Sequence, residues 1–483
     1  MNIAVVHYHL QTGGISRVIE SAHAGLSQMP DCAMLVFSGE PPDSGIDREN
    51  VIVIPGLGFQ RGGNTQVAES LADALREASR ARFGSLPDVW HFHNHSIVRN
   101  AMMPSVVHNL ATSGQKVLLQ IHDFPEDGRP QNYAEQRSFF ESDKVFEQTL
   151  YPKAPQVHYA AINQRDFGFL RNAGVRSGNL HLLPNPIHEP RVTSKPSERP
   201  FAKGKLFALY PSRGVRRKNL GELLLLSLLN RDRVEFATSL PPARSDAQTT
   251  HELWRNLARR LELPVTFGIA DRGEFSYSDL LGWADFFVTT SIAEGFGLAF
   301  LEPWIIEKSV VGRNLERITR DFSDQGIRLN HLYSRLEIPV DWLDETALSR
   351  EMDNSLRQSY LAYDRSLPKT AVKEAWQVWV QDGKIDFGVL SESFQMEVLE
   401  KISASPELIE RVVAPVMKPC REEGIAERRE LVRRFYSVES YGRRLHGIYQ
   451  KMKNSKTGSL KHLPTKKILD QFLDPKRLNL MRT

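Results

Sequence analysis

A doubly wound α/β architecture, built twice in succession, is what this 483-residue sequence predicts. Three observations carry it. Short β-rich runs alternate with helical stretches through residues 1–191, a linker-like segment interrupts them at 192–205, and the alternation then restarts. Length alone favours roughly two to three domains.

In the first half, "MNIAVVHY", "AMLVFSG", "VIVIPG", "DVWHFHNH", "KVLLQIHD" and "VHYAAIN" read as strands. Several are apolar on both faces, as in a parallel sheet covered on both sides. Helical patterns at 16–28 and 67–83 lie between them, and strand–helix–strand repetition defines a doubly wound, Rossmann-like domain. "VTSKPSERPFAKGK" (192–205) has the Pro, Ser, Gly and charge of a linker. After it come "LFALYPS", the helical "NLGELLLLSLLN", "VEFATSL", a helix near 250–262, "VTFGIA", "SYSDLLGWA" and "DFFVTTS". Two such domains facing a central cleft would bind ligands beyond the carboxyl ends of their strands. Residues 315–420 read as a mainly helical insertion in the second domain, 206–425. Residues 426–452 read as one long helix, and 453–483 as a loosely ordered basic tail.

Composition narrows the class. Hydrophobic residues at 41% and charged residues at 25% describe a soluble globular chain. No apolar run is long enough for a membrane span and "MNIAVVHYHL" has no secretory signal, so a cytoplasmic location is expected. Two cysteines, Cys32 and Cys420, are too few for a disulfide framework. Residues 451–483 carry +7 of the +4 total, which leaves 1–450 at −3 and argues against nucleic-acid binding by the body. The tail is either a solvated end or a loose tether to an anionic membrane surface.

"SIAEGFGLAFLEPW" (291–304) is the most informative stretch, because it turns a strand into a helix with Gly295 and Gly297 in the bend. Glycines there permit close backbone approach, and the free amides of a helix starting near Leu298 suit a phosphate. Glu294 and Glu302 would stand on the order of 10 Å apart along that helix. That spacing suits the two ends of one long polar ligand.

On the residues "EGFGLAFLE" the sequence resembles the group 1 glycosyltransferases (glycosyltransferase family 4), retaining enzymes of the GT-B fold. The resemblance implies that Glu294 faces the donor sugar, that Glu302 binds the nucleotide ribose, and that Gly295, Phe296, Gly297 and Leu298 form the donor loop. In "YPSRGVRRKN", Arg213 and Lys218 match the cations that take the diphosphate's charge, while Arg216 and Arg217 do not match and read as solvated. Gly13 and Gly14 in "LQTGGISRV" resemble the family's glycine pair, the alternative being a tight turn. His122 in "QIHDF" matches a histidine that hydrogen-bonds the donor sugar, and with Glu294 it is the catalytic candidate. His91, His93 and His95 alternate on one predicted strand face, but without an acidic or cysteine cluster no metal site is expected.

The resemblance further implies an acceptor-side domain at 1–191, a nucleotide-sugar donor domain at 206–425 and a helix at 426–452 crossing back onto the first. The implied activity is metal-independent, retaining transfer of a hexose from a nucleotide-diphosphate sugar, a co-substrate rather than a cofactor. The acceptor is left open among small molecules, glycans and lipids. A disaccharide phosphorylase or nucleotide-sugar 2-epimerase of the same fold, or a catalytically silent sugar-binding protein, are the alternatives. The chain departs from the family after Glu302, at "SVVGRNLERITRDFSDQGIRL".

Overall fold

The computed structural model describes residues 1–43, 45–60, 62–190, 192, 199, 204–243 and 245–477. Most of the predicted linker at 192–205 and the last six residues, 478–483, lie outside these. The chain forms two compact units, Met1–Ile187 with Arg434–Phe472, and His188–Arg433 with Leu473–Thr483.

The first unit is built on strands β1 (Asn2–His7), β2 (Ala33–Ser38), β3 (Val51–Val53), β4 (Val89–His93), β5 (Val117–Ile121), β6 (Pro152–Lys153), β7 (Val157–Ala161) and β8 (Leu180–Leu182). Seven of them make one parallel sheet in the order β3-β2-β1-β4-β5-β7-β8. Every residue of β4, β5 and β7 is buried, as strands covered on both faces must be. The order reverses between β1 and β4, which opens a crevice at their carboxyl ends.

The second unit repeats the plan with β9 (Leu206–Arg213), β10 (Val234–Leu240), β11 (Val265–Thr266), β12 (Phe286–Thr289) and β13 (Ser309–Gly312), in the parallel order β11-β10-β9-β12-β13. Its switch point falls between β9 and β12. All ten residues of helix Leu220–Leu229 are buried. A helix apolar on every side needs cover on every side. Part of that cover comes from the inserted segment, because Gln395 Oε1 lies 2.2 Å from where a side chain on Gly221 would begin.

The insertion at 315–420 is not helical throughout. Strands β14 (Glu337–Pro339), β15 (Val380–Gln381) and β16 (Lys384–Asp386) form a small antiparallel sheet within it. A buried ionic knot ties the insertion to the sheet domain. Arg313, directly after β13, donates to Glu222 Oε2 at 2.6 Å and to Asp386 Oδ1 at 2.7 Å, and the side chains of all three are at most 1% exposed. Tyr333 Oη and Asn219 Nδ2 donate to the remaining positions on Glu222, both at 2.7 Å.

The single helix read at 426–452 is two, Glu422–Tyr436 and Val438–Lys453, separated at Ser437, whose hydroxyl caps the second by accepting Ser440 N–H at 3.2 Å. The second helix belongs to the first unit's core. Tyr441, Leu445, Tyr449 and Met452 join the cluster around Ile3, Ile19 and Val36, and Gly442 meets Gly25 backbone to backbone. The tail is also folded through residue 472. Strand β17 (Lys461–His462) pairs antiparallel with β6, and helix Thr465–Phe472 buries Ile468, Leu469 and Phe472. Among the described residues no helix is long and apolar enough to cross a membrane.

Candidate active site

In the second unit, the carboxyl ends of the adjacent strands β9 and β12 are knitted together. Thr290 Oγ1 donates to Lys218 O at 2.8 Å, and Ile292 N–H donates to Arg217 O at 2.9 Å. The turn at Asn219, in the left-handed region at φ 51°, then sends the chain into helix Leu220–Leu229. This brings Glu294 onto three donors. Its Oε1 contacts Lys218 Nζ and accepts Ser291 Oγ–H at 2.7 Å, and its Oε2 accepts from Arg217 Nη1 at 2.9 Å.

Burial by itself raises the pKa of Glu294, but the charges of Lys218 and Arg217 and the hydrogen bonds of Lys218 and Ser291 overcome it and hold the group down to about 2. The carboxylate is therefore ionised throughout the neutral range. Arg217 adds to the sequence reading, since it is exposed to solvent as expected but also holds Glu294. Arg216 is likewise engaged, bidentate with Glu392 at 2.8 and 3.0 Å. Arg213, at the end of β9, is exposed and makes no ion pair among the described residues.

The segment after Glu294 differs from the predicted continuous helix. A 3₁₀ turn at Leu298–Phe300 is followed by a four-residue helix, Glu302–Ile305, broken at Leu301. Pro303 in the first turn has no N–H to offer, so few free amides point outward here. Gly297 has a local reason for being glycine: its φ is 92°, and a Cβ would lie 2.8 Å from Ile318 Cγ2. Phe296 is buried edge-on against Phe322, and Gly295, Leu298 and Glu302 are half-buried.

In the first unit, the crevice between β1 and β4 gathers the other candidates. Gly13 is extended, at φ −176°, and caps helix Gly14–Leu26. A Cβ on Gly14 would meet nothing within 4 Å, and one on Gly13 only Gln11 O at 3.7 Å. Neither glycine is required by the backbone or by packing, so the space before them is open.

His122, after β5, stacks on His93 and shares a 2.9 Å hydrogen bond from its Nε2 to His93 Nδ1. Burial lowers its pKa to about 4 against the opposing charge of Asp123, so the ring is neutral near pH 7. His91 and His93 do share a face, but the strand ends at His93, and Asn94 at φ 51° redirects the chain. His95 therefore leaves that face and bonds Leu150 O at 2.8 Å. Among the described residues His91, His93 and His95 belong to no group with metal-binding spacing; Asp31, Cys32 and His446 do form one.

Sequence reasoning missed Arg217, Ser291 and Asn94. Asn directly after a strand is a visible hint of a left-handed turn. The other two carry no local signal, because their role depends on β9 lying beside β12.

Two parallel sheets with their switch points at these clusters give the chain the GT-B fold. No protein-family model matches the chain. Mannosylglucosyl-3-phosphoglycerate synthase of Petrotoga mobilis is 26% identical over 398 residues, 74% of this chain and 75% of that protein. Sucrose-phosphate synthase of Thermosynechococcus elongatus aligns over 94% of this chain and 99% of its own, with a TM-score of 0.54 and 15% identity. HepE of Anabaena, solved with UDP and glucose, aligns over 93% and 99%, with a TM-score of 0.51 and 12% identity. The resemblance to glycosyltransferases of the GT-B fold therefore stands on both the sequence relative and the fold.

Proposed function

We propose that the protein is a retaining glycosyltransferase that moves a hexose from a nucleotide-diphosphate sugar to an acceptor without a divalent metal. The observation that carries this reading is the clamp on Glu294, whose cations follow the strand end where Arg213 is exposed. One buried carboxylate, held ionised by Lys218, Arg217 and Ser291, can accept hydrogen bonds from sugar hydroxyls. Two or three cations on the same turn can balance the charge that grows on a departing diphosphate. HepE's UDP and glucose support a nucleotide-sugar as the donor.

On this reading the incoming diphosphate takes over Lys218 and Arg213, and Glu294 keeps Arg217 and Ser291 while it receives the sugar. Glu302 would take the ribose. Attack from the face that the leaving group vacates needs no enzyme nucleophile. The departing phosphate takes the acceptor's proton. The name of the Petrotoga relative points to an acceptor bearing a phosphoglycerate.

Proton NMR of fresh product, in buffer with and without EDTA, tests the reading. The expected product keeps the donor's anomeric configuration and forms at the same rate in EDTA. An inverted product, or activity lost in EDTA and restored by magnesium or manganese, overturns it.

A further inference from the structure

We infer that the folded C-terminal segment completes a binding site for a small phosphate monoester, at the edge of the first unit's sheet opposite to His122. A cavity of about 210 Å3 lies between the amino end of β7, the turn at Val175–Asn179 and residues 458–461. Taking about 30 Å3 per liquid water, it has room for about seven waters, enough for a compact ligand and too little for a whole sugar nucleotide. At about 3.3 Å per residue, the length of β7 separates it from the catalytic edge by roughly 15 Å.

The site is built rather than incidental. Gln156 grips the incoming segment at both polar atoms, donating to Gly458 O and accepting from Gly458 N–H, each at 3.0 Å. Asn179 Nδ2 holds the floor by donating to Pro155 O and Val157 O, both at 2.9 Å.

Three cations line this cavity, Lys153, Arg176 and Lys461, and no acidic residue does. None of the three has an ion-pair partner among the described residues. Lys153 and Lys461 stand directly opposite each other in the β6–β17 pair. Like charges directly opposite in a two-strand pair repel and destabilise it unless an anion is shared between them. Lys153 Nζ also reaches the turn before Arg176, lying 3.3 Å from where a Cβ on Gly174 would stand. A phosphate monoester, close to a dianion at neutral pH, matches this charge. Val157 and Val175 offer an apolar wall to a short carbon chain.

The test is amide hydrogen exchange on the full chain with glycerol 3-phosphate, inorganic phosphate, or phosphatidylglycerol vesicles. Glycerol 3-phosphate is expected to slow exchange in 174–179 and 457–463, with inorganic phosphate acting more weakly. The K153Q/K461Q double variant should lose affinity about a hundredfold, roughly tenfold for each charge-assisted contact. Without ligand that variant should melt no lower than the parent, because it removes the like-charge pair. The exposed R176Q serves as a second variant and should lose about tenfold. Slowing confined to 213–218, slowing that persists in both variants, binding to vesicles alone, or no slowing at all would each overturn the proposal.

Discussion

Asn94 Oδ1 accepts the backbone N–H of His122 at 2.7 Å and that of Asp123 at 3.0 Å, so one side chain at the end of β4 sets where the loop after β5 begins. Its Nδ2 also donates to Asp123 Oδ2 at 3.1 Å, and Arg129 holds the other carboxylate oxygen at 2.5 Å. Asn94 is thus a positioning residue for His122. N94G keeps the left-handed backbone and removes these bonds, at about 1 kcal/mol each. Turnover should fall roughly tenfold or more while nucleotide affinity stays unchanged. Steady-state rates beside nucleotide titrations check this, and full turnover in N94G would count against the role.

Lys218 should control donor affinity. K218A is expected to weaken nucleoside-diphosphate binding by about 1.5–3 kcal/mol, the range for a hydrogen bond to a charged group. Calorimetric titration measures it directly. Unchanged affinity would remove Lys218 from the diphosphate site.

E294Q should behave differently. The neutral amide no longer holds Lys218 and Arg217 by charge, so both remain available to the diphosphate. Nucleotide affinity should hold or improve while turnover falls by about a hundredfold through misplacement of the sugar. Equal losses in affinity and turnover would mean that Glu294 serves the nucleotide instead.

Stability should have an acid limb and a weaker alkaline limb. Burial lowers His7 and His91 to about 3, and His95 and His122 to about 4, so below their unfolded value near 6.5 the unfolded chain binds more protons. Stability is therefore lost as the pH falls from 6.5, by about 1.4 kcal/mol per unit for each histidine. Glu126 works in the opposite sense. Buried and hydrogen-bonded by Tyr151 Oη at 2.9 Å, it is raised from 4.5 to about 8 mainly by burial, so its proton stabilises the fold fully below 4.5 and this contribution is lost as the pH rises from 4.5 to 8. E126Q should flatten the decline between pH 6.5 and 8 in a thermal-melt pH series and steepen the acid limb, where Glu126 partly offsets the histidines. An unchanged alkaline limb would assign it to another group.

Arg313 should matter to stability rather than chemistry. R313M leaves Glu222 and Asp386 buried without their counter-ion, a loss of about 3–5 kcal/mol. G388A should also destabilise, since its Cβ would lie 2.3 Å from Arg313 Nη2. Urea melts measure both effects.

The alternation of apolar runs and helical periods is a local property of the chain, so sequence alone determined two doubly wound units and nearly all their central strands. Short-range chemistry also marked Gly13, Gly14, Lys218 and Glu294 as candidates, because their residue types and their place after a strand carry the signal. The break of the last helix at Ser437, the packing of the tail and the small sheet in the insertion were decided by tertiary structure. A sequence period shows which face of an element is apolar, but not which partner will cover it. The pairing of Glu294 with Arg217, the hold of Asn94 on His122 and the knot of Arg313, Glu222 and Asp386 span 77, 28 and 164 residues between their farthest members. Each exists only because neighbouring strands bring their carboxyl ends together, or because an inserted segment folds back onto a buried helix. Burial then strengthens the hold of Asn94 on His122 and the Arg313 knot, by removing the water that would otherwise weaken them.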